Sequence, residues 1–419
     1  MRNLKRHIAL TEKLFPNVLF QIILIFTLNV LFPIICFGEN NWWNNGNITI
    51  FSLVLSQCII LVLFRILMHY PGNRSVGFIP SSVISVYGCL ILFLAIFRLN
   101  YSSLFLISSF FMSLLSGFVL YFVTIRFSKK RIAIIPLGNI QNLEKTTTVD
   151  WIKLEKPDLS EKTYDAIVVD LYSEDLTEEW QKFLAETALM NIKIYNAKNL
   201  EESLTGRVRS RYFYENDLGT LQPSGIYQII KRVIDVIAVL VTLPITVCIM
   251  LITAIAIRLE SKGNVLFIQK RVGQGGKEFN LYKFRSMCQD SEKDGAKFAT
   301  TNDMRITKVG KFIRKTRIDE LPQFFNVLKG DMSLIGPRPE QKVFVDKFIK
   351  EIPFYNYRHI VKPGISGWAQ VIQGYTADVN DTKIKLQYDL YYIKNFSIWL
   401  DILIVFKTIK TMLTGFGAR

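Results

Sequence analysis

Long runs of apolar residues dominate the first third of the chain. Four such runs occupy residues 17–37, 49–69, 77–97 and 103–125. Each is long enough to span a bilayer, because about 20 apolar residues in a helix cover the ~30 Å hydrocarbon core. Basic residues precede the first run and follow the fourth, whereas residues 39–47 contain neither lysine nor arginine but carry two tryptophans. This distribution predicts a four-helix transmembrane domain over residues 1–130, with both ends in the cytosol and residues 39–47 as an outer loop.

The pattern changes between residues 131 and 225 to short apolar runs separated by polar stretches. Residues 132–136, 165–170 and 192–196 have the composition of short buried strands. Residues 177–191 have the periodicity of an amphipathic helix. Strands that alternate with helices are typical of a parallel sheet, so we predict a small, cytosolic, Rossmann-like α/β module. A single glycine follows the first strand where a dinucleotide fingerprint needs several, which favours a structural or regulatory role over a nucleotide site.

A fifth apolar run, residues 234–257, differs from the first four because basic residues flank both of its ends. Lys231 and Arg232 precede it, two further cations follow it, and Pro244 lies near its centre. A full crossing would place the two basic flanks on opposite sides of the membrane, and proline bends a helix by removing a hydrogen bond. We therefore predict that residues 231–258 form a re-entrant helix that bends at Pro244 and returns to the cytosolic face. A kinked spanning helix is the alternative.

Two adjacent acids, Asp319 and Glu320, precede a short amphipathic pattern. Apolar residues at helical spacing predict a helix over residues 319–329 that ends at Gly330 and carries both acids in its first turn. The positive end of a helix keeps carboxylates ionised and attracts phosphate. Neighbouring helical residues point in different directions, so one acid can be a nucleophile while the other holds a metal or a hydrogen-bond partner. From this position alone, acids that only balance Arg314 and Arg317 are the favoured interpretation.

Charge is unevenly distributed along the 419 residues, half of which are apolar. The net charge is +8 over residues 1–130, −5 over 131–225 and +13 over 226–419. A basic excess suits an anionic lipid, a phosphorylated substrate or nucleic acid. No finger spacing or RNA-binding aromatic motif accompanies it, so we expect no nucleic-acid partner. Five cysteines without a CxxC pair and only three histidines argue against a disulfide framework or a zinc site.

Six motifs follow one another in the last part of the chain. They are Gly263–Gly273, Lys283–Met287, Asp303–Gly310, the acid pair, Gly336–Pro339 and Lys362–Trp368. Together they resemble the bacterial sugar transferase family, the polyprenyl-phosphate hexose-1-phosphate transferases, also called monotopic phosphoglycosyl transferases. The preceding helices and the α/β module resemble the long form of this family in their arrangement only.

The resemblance implies covalent catalysis at a membrane surface. Asp319 would be the nucleophile and Glu320 its partner, and both would bind Mg²⁺. Asp319 would attack the β-phosphate of a UDP-sugar and release UMP, after which the hexose-1-phosphate would pass to undecaprenyl phosphate. We expect UDP-glucose or UDP-galactose as the donor. The resemblance also implies a mostly helical catalytic domain over residues 226–419, with a re-entrant helix that contains Lys231, Arg232, Asp235 and Pro244.

Further side chains are candidate contacts for the donor phosphates, the uridine or the prenyl phosphate. They are Lys283, Arg285, Arg314, Arg317, Arg338 and Gln370. A structural salt bridge is the alternative for Arg338, and a solvated face is the alternative for Arg317. Trp368 could line the sugar site or belong to the core. The tyrosines of residues 388–392 could lie on the membrane or pack in the core.

The sequence therefore predicts a multi-pass protein of the bacterial inner membrane that combines α-helical spans, an α/β module and a cytosolic catalytic domain. It would perform the first membrane step of exopolysaccharide, capsule or O-antigen synthesis, with membrane lipids as partners and a homodimer as an open alternative. Two other functions stay open: a membrane glycosyltransferase that releases UDP, and a non-enzymatic membrane sensor, transporter subunit or assembly protein. The scarcity of acids in the first four runs disfavours an ion pathway.

Overall fold

Two compact units, Met1–Thr205 and Gly206–Arg419, make up the chain. The computed structural model describes residues 26–32, 35, 42–69, 78–127, 131–138, 140, 143, 150–158, 164–209, 224–288, 305–374 and 379–414. Long apolar helices and a parallel sheet give the mixed helical and α/β architecture expected of this sequence. The finer division into three domains stays a prediction.

The first unit begins with apolar helices. They are a π-helical segment at Thr27–Leu31, α1 at Trp42–His69, α2 at Phe78–Ile96 and α3 at Ser103–Phe127. Most of the first predicted span lies outside the described residues, so the four-helix bundle stays a prediction. Residues 42–47 of the predicted outer loop belong to α1, and the side of the membrane on which they lie stays a prediction. Among the described residues, Ser103–Phe122 and Gly225–Glu260 are long and apolar enough to cross a membrane.

A network of uncharged polar side chains is buried among these apolar helices. It consists of Asn29, Gln57, Tyr87, Ser109, Ser113 and Ser116, and we call it the hydroxyl–amide network. The amide of Gln57 donates to the hydroxyls of Tyr87 at 3.0 Å and Ser113 at 2.7 Å. Ser113 in turn donates to Asn29 Oδ1 at 3.1 Å. These bonds join the π-helical segment to α1, α2 and α3 with no buried charge in the network.

A four-stranded parallel sheet forms the second part of this unit. Its strands are β1 at Arg131–Ile134, β2 at Asp150–Lys153, β3 at Ala166–Val169 and β4 at Lys193–Asn196, in the order β2-β1-β3-β4. Helix α4 at Glu178–Leu189 packs on one face and α5 at Ala197–Thr205 on the other. The predicted parallel α/β module is confirmed, except that β2 was missed because Asp150 and Lys153 make it look like a polar loop.

The second unit combines one long helix with short helices and strands. These are α6 at Gly225–Glu260, β5 at Leu266–Val272, β6 at Glu278–Phe284, α7 at Lys308–Lys315, α8 at Gln323–Lys329, β7 at Ser333–Ile335, α9 at Lys342–Glu351, β8 at Gly364–Ser366, α10 at Trp368–Ile372, α11 at Val379–Lys394 and α12 at Ile398–Thr414. Strands β5 and β6 form an antiparallel hairpin, and β7 pairs with β8 in parallel. Tyr388, Tyr391, Tyr392 and Trp368 are buried, so their core interpretation holds.

Helix α6 is continuous across Pro244, and one stripe of its residues is buried against the rest of the second unit. The stripe includes Lys231, Asp235, Val239, Thr246, Met250, Thr253 and Ile257. The first turns are fixed by Lys231, whose ammonium lies 2.7 Å from a carboxylate oxygen of Asp401. At the last turn, the carboxylate of Glu260 accepts from the backbone N–H of Val309 at 3.1 Å. Both ends of α6 are therefore attached to the same folded unit.

Candidate active site

Asp319 and Glu320 lie in a buried 3₁₀ turn at Ile318–Glu320. The prediction that both acids occupy the first turn of an α-helix is wrong in this detail, because α8 begins only at Gln323. Pro322 has no N–H to donate to Ile318, so the helical hydrogen bonds are interrupted between the turn and α8. The predicted end of the helix is confirmed, since Gly330 caps α8 in the left-handed conformation with φ 96°.

Three cations surround the carboxylate of Glu320. Its Oε1 atom lies 3.0 Å from Arg338 Nη1, 3.4 Å from Arg317 Nη1 and 3.7 Å from Lys283 Nζ. Burial alone would raise the pKa of Glu320, but Arg338, Lys283 and Arg317 outweigh it and lower the pKa to about 2. Glu320 is thus a permanent anion that holds the three cations together.

Asp319 is in a different state although it is the adjacent residue. Its side chain is buried, and Oδ1 has no hydrogen-bond partner among the described residues. Burial raises the pKa of Asp319 to about 6, and the charge of Glu320 adds to the rise, while Lys283, Arg317 and Arg338 oppose it. A buried oxygen without a partner costs free energy, so its presence here points to a functional role. Near neutral pH this carboxylate is mostly ionised, unpaired and beside a cluster of cations.

Lys283 reaches the acids from strand β6. Burial lowers the pKa of Lys283 to about 8, with repulsion from Arg338 in the same direction, while Glu320 and Asp319 oppose the change. Lys283 stays mostly protonated at neutral pH, but its charge depends on the acids that face it. The structure therefore brings together five predicted site residues: Asp319, Glu320, Lys283, Arg317 and Arg338.

The loop Gly336–Pro339 is held by hydrogen bonds to successive carbonyls. The carbonyl of Arg338 accepts from Arg358 Nη2 at 2.8 Å, and the carbonyl of Pro339 accepts from Arg271 Nη1 at 3.2 Å. The carbonyl of Pro337 accepts from the N–H of Gly364 at 3.0 Å. This loop has little freedom left, so the guanidinium of Arg338 is preorganised beside Glu320.

Two glycines allow the backbone segments to approach closely behind this loop. A Cβ on Gly336 would lie 2.4 Å from the carbonyl oxygen of Lys362, and one on Gly364 would lie 2.0 Å from the amide nitrogen of Gly336. Any side chain at either position would push the two segments apart. The motifs Gly336–Pro339 and Lys362–Trp368 therefore belong to one structural element, which the sequence alone did not indicate.

A buried ionic network supports Arg338 from behind. Arg358 and Asp389 form an ion pair of 3.0 Å in which each side chain is 2% exposed. Glu340 lies between Lys385 and Arg271, at 3.5 Å from the latter. Burial alone would raise the pKa of Glu340, but Lys385, Arg358 and Arg271 outweigh it and lower the pKa to about 2. Sequence reasoning missed this network, because its members lie on β5, α11 and separate loops.

The remaining predicted contacts lie at other places of the unit. Arg285 donates to the carbonyls of Ser261 and Lys262 and so fixes the end of α6. The Nε atom of Arg314 donates to Ser286 Oγ at 2.9 Å. Gln370 comes three residues after Gly367. The backbone at Gly367 lies so close to the Arg338 loop that a Cβ there would be 2.3 Å from the Gly336 carbonyl oxygen. Gln370 is therefore next to the Arg338 loop, and the ligand contacts of all three residues stay predictions.

Asp319 is the side chain that best fits a magnesium ion. Mg²⁺ in phosphate-binding sites takes one or two carboxylates together with substrate phosphates and water. The partnerless Oδ1 atom of Asp319 suits such a role, whereas Oε1 of Glu320 faces three cations. The described residues contain no group of three or more His, Cys, Asp or Glu side chains that could hold a metal. The donor set fits an ion shared with the substrate.

The sequence of the second unit matches a known family. Residues 226–415 match the family model described as "Bacterial sugar transferase". A protein of Aeromonas hydrophila, named UDP-N-acetylgalactosamine-undecaprenyl-phosphate N-acetylgalactosaminephosphotransferase, is 56% identical over 359 residues, or 86% of this chain and 85% of that protein. The chain belongs to the bacterial sugar transferase family. Family membership and the two long apolar helices together indicate a membrane protein.

Other members of the bacterial sugar transferase family match only part of the chain. A UDP-glucose:undecaprenyl-phosphate glucose-1-phosphate transferase of Klebsiella pneumoniae is 45% identical over 188 residues, or 44% of this chain and 40% of that protein. A putative undecaprenyl-phosphate N-acetylgalactosaminyl 1-phosphate transferase of Bacillus subtilis is 54% identical over 132 residues, or 32% of this chain and 74% of that protein. The Aeromonas protein is thus similar over a much longer part of the chain than these two.

Proposed function

We propose that the protein transfers a sugar 1-phosphate from a UDP-sugar to undecaprenyl phosphate and releases UMP. The observation that carries this proposal is the pairing of unlike acids: a partnerless, buried Asp319 beside a Glu320 that holds three cations. Asp319 can attack a phosphorus atom as a nucleophile, and the three cations can bind phosphate oxygens. The names of the relatives supply the class of donor and acceptor.

In the first half-reaction, an ionised carboxylate oxygen of Asp319 attacks the β-phosphorus of the donor. A bond forms between that oxygen and phosphorus, and the bond from phosphorus to the bridging oxygen breaks. The electron pair leaves with UMP. Lys283, Arg317 and Arg338 stabilise the charge on the phosphate oxygens, because fixed cations in a buried site need no reorganisation during the reaction.

In the second half-reaction, a phosphate oxygen of undecaprenyl phosphate attacks the same phosphorus. The bond to Asp319 breaks, the carboxylate is regenerated, and the product carries the sugar on a diphosphate. Covalent catalysis divides one displacement between two anions into two easier steps. Glu320 does not react: it holds Arg338, Arg317 and Lys283 in place throughout.

We infer that Mg²⁺ binds to Asp319 and the donor diphosphate. When bound, the ion would offset the negative charge of the two phosphates. Glu320 was also expected as a metal ligand, but its three cationic neighbours favour Asp319 as the protein ligand. Removal of divalent ions with EDTA should abolish UMP release, and Mg²⁺ should restore it.

We propose UDP-N-acetylgalactosamine as the donor, instead of the UDP-glucose or UDP-galactose expected from the sequence. The support is the Aeromonas protein, whose similarity extends over 86% of the chain, whereas the Klebsiella glucose transferase matches 44%. The full-length protein in detergent, supplied with undecaprenyl phosphate and Mg²⁺, should release UMP fastest from this donor. Release of UDP instead would establish the alternative of a simple glycosyltransferase, and no release of either from any UDP-sugar would favour a non-enzymatic role.

We also propose a multi-pass protein of the bacterial inner membrane with a cytosolic catalytic unit, acting at the first membrane step of a surface polysaccharide. Helix α6 would be re-entrant. Its 36 residues would be ~54 Å long if straight, which is more than a full crossing requires. Yet its two ends are tied to one folded unit through Lys231 and Glu260, which supports an entry and exit on the same face.

Cysteine labelling tests this placement of α6. In a cysteine-free background, cysteines at positions 229 and 262 should both resist a membrane-impermeant reagent added outside intact cells, and both should react after lysis. Labelling of position 262 from outside would establish a kinked spanning helix.

A further inference from the structure

A cavity with a volume of about 340 Å³ lies beside the first turns of α6. Its lining residues are Gly225, Gln228, Ile229, Lys231, Arg232, Val233, Asp235, Gln274, Ser333, Val361, Lys362 and Phe396. None of the five side chains that meet at the acid turn is among them. Arg232 donates to the carbonyls of Val327 and Leu328, at the far end of α8 from Asp319. The seven residues of α8 rise about 10 Å, so this cavity is separate from the active site.

Two cations converge in this cavity without a carboxylate bonded to either. A Cβ placed on Gly330 would lie 3.6 Å from Arg232 Nη2 and 3.8 Å from Lys362 Nζ. The bonds of Arg232 go to backbone carbonyls, and Lys362 has no hydrogen bond or ion pair with any residue that the structure describes. Lys231 is already neutralised by Asp401 and Asp235.

Lys362 is partly buried and lies close to another cation, Arg232. Burial lowers the pKa of Lys362, and the positive charge of Arg232 lowers it further, while Asp235 and Asp331 oppose the change. The carboxylate of Asp235 accepts from Ser333 Oγ at 2.6 Å and lies 3.8 Å from Lys231 Nζ. An anion between Arg232 and Lys362 would relieve the repulsion of these like charges.

Part of the cavity wall is apolar, and this part continues along α6. Ile229 is 68% exposed and Val233 is 52% exposed, and both line the cavity. Beyond it, the outer face of the helix continues with the exposed side chains of Ile237 and Val241. A small inorganic anion would use only the cations. An amphiphile would use the cations for its phosphate and this apolar strip for its chains.

We propose that this cavity binds the phosphate headgroup of an anionic membrane phospholipid between Arg232 and Lys362, with the acyl chains along α6. The lipid acceptor of the reaction is the competing occupant. Its phosphate oxygen must reach a phosphorus on Asp319, which lies at the other end of α8, so the position of the cavity favours a phospholipid that stays in place. The site would anchor the start of α6 at the membrane surface.

Native mass spectrometry of the delipidated full-length protein tests this site without a turnover assay. Four probes are titrated: phosphatidylglycerol, phosphatidylcholine with the same chains, undecaprenyl phosphate and inorganic phosphate. Wild-type protein should bind phosphatidylglycerol more tightly than phosphatidylcholine. Lys362→Gln should weaken phosphatidylglycerol binding about tenfold, because it removes one charge-assisted contact. Lys362→Arg should retain most of the affinity.

A matched control uses another lysine of the same unit. Lys347 lies outside the cavity and is 56% exposed, so Lys347→Gln should not change binding of any probe. A second variant tests the apolar wall: Ile229→Gln alters an exposed residue, so folding is retained, and it should weaken phosphatidylglycerol but not inorganic phosphate.

Three results would overturn the proposal. The first is equal binding of phosphatidylglycerol by wild type and Lys362→Gln. The second is a loss confined to undecaprenyl phosphate, which would assign the cavity to the acceptor. The third is tight binding of inorganic phosphate that displaces the phospholipid, which would assign the site to a free anion. Each readout is binding, so a failed UMP assay would count against the proposed reaction and not against this site.

Discussion

The apolar helices of the first unit and the second unit bury polar groups in different ways. In the first unit, Gln57, Tyr87 and Ser113 form hydrogen bonds among apolar helices, and the hydroxyl–amide network contains no ionisable acid or base other than the tyrosine. In the second unit, the ion pair Arg358–Asp389 is just as deeply buried and joins a base to an acid. The hydroxyl–amide network thus joins the apolar helices of the first unit without charge, whereas the second unit buries ion pairs around its candidate site.

This difference follows from the surroundings and the task of each unit. A charge inside a lipid-facing helical unit is expensive, and uncharged hydroxyl and amide groups still join helices there. The reaction proposed for the second unit handles phosphates with several negative charges, which require fixed cations. Those cations must be held apart and aimed, and buried acids such as Glu320 and Glu340 do so. We therefore expect larger effects from removing buried charges of the second unit than from removing polar groups of the hydroxyl–amide network.

The largest effect is expected for Asp319→Asn, which keeps the shape and removes the nucleophile. Turnover should fall at least ~10³-fold, the scale seen when a covalent-catalysis residue is removed. The variant should fold as well as wild type, because Asp319 Oδ1 has no hydrogen-bond partner to lose. UMP release in detergent measures the effect.

The control for this variant is Asp346→Asn, which alters an exposed acid on α9. It should leave turnover within twofold of wild type. Activity of Asp319→Asn within tenfold of wild type would show that Asp319 is not the nucleophile.

Next in size is the effect of Arg358→Met on stability. Removing one partner of a buried ion pair leaves an uncompensated charge on Asp389, at a cost of about 3 to 5 kcal/mol. The double variant Arg358→Met/Asp389→Leu should regain most of this loss, because both charges are gone. Its turnover should stay about tenfold low, since the Arg338 carbonyl has lost its donor. Unfolding by denaturing detergent and UMP release separate the two effects, and an unstable double variant would contradict this prediction.

Acid sensitivity should depend on Glu340. The pKa of Glu340 is lowered to about 2 in the folded protein, from an ordinary value of 4.5. Its contribution to stability is therefore complete above about pH 4.5 and is lost as the pH falls toward 2. The difference in unfolding free energy between wild type and Glu340→Gln should shrink over this range. A difference that is constant from pH 7 to pH 3 would show that the charge of Glu340 contributes nothing.

The smallest effect is expected in the first unit, for Gln57→Leu. Tyr87 and Ser113 keep other partners, in Ser109 and Asn29, so the loss should be about 1 kcal/mol or less. The control Ile59→Leu alters an exposed apolar residue of the same helix and should have no measurable effect. A loss for Gln57→Leu as large as that for Arg358→Met would erase the contrast between the two units.

Periodicity and composition predict the secondary structure of this chain better than its polar contacts. The strands at 132–136 and 165–170 were found because their apolar runs are short and bounded by polar residues. Strand β2 was missed because half of its four residues are charged. The start of α8 was misplaced because Pro322 reads as a tolerated first-turn residue, although its missing N–H separates the acid turn from the helix.

The candidate site was predictable in its acids and only partly in its surroundings. Asp319, Glu320 and Arg338 stand out because adjacent acids and an arginine between prolines are unusual local patterns. Arg271 and Arg358 carry no such signal, since their role depends on where distant segments meet. Arg285 donates to the carbonyls at the end of α6, a structural contact that the sequence did not indicate, and its phosphate contact stays a prediction.

A covalent intermediate on Asp319 is the most direct consequence of the unequal states of the two acids. Full-length protein is incubated with UDP-N-acetylgalactosamine and Mg²⁺ without undecaprenyl phosphate, quenched, and analysed by intact and peptide mass spectrometry. We expect a phosphosugar adduct on the peptide that contains Asp319, absent from Asp319→Asn and removed when undecaprenyl phosphate is added. UMP release and product formation by a wild-type protein that never carries this adduct, or an adduct on Glu320 instead, would contradict it.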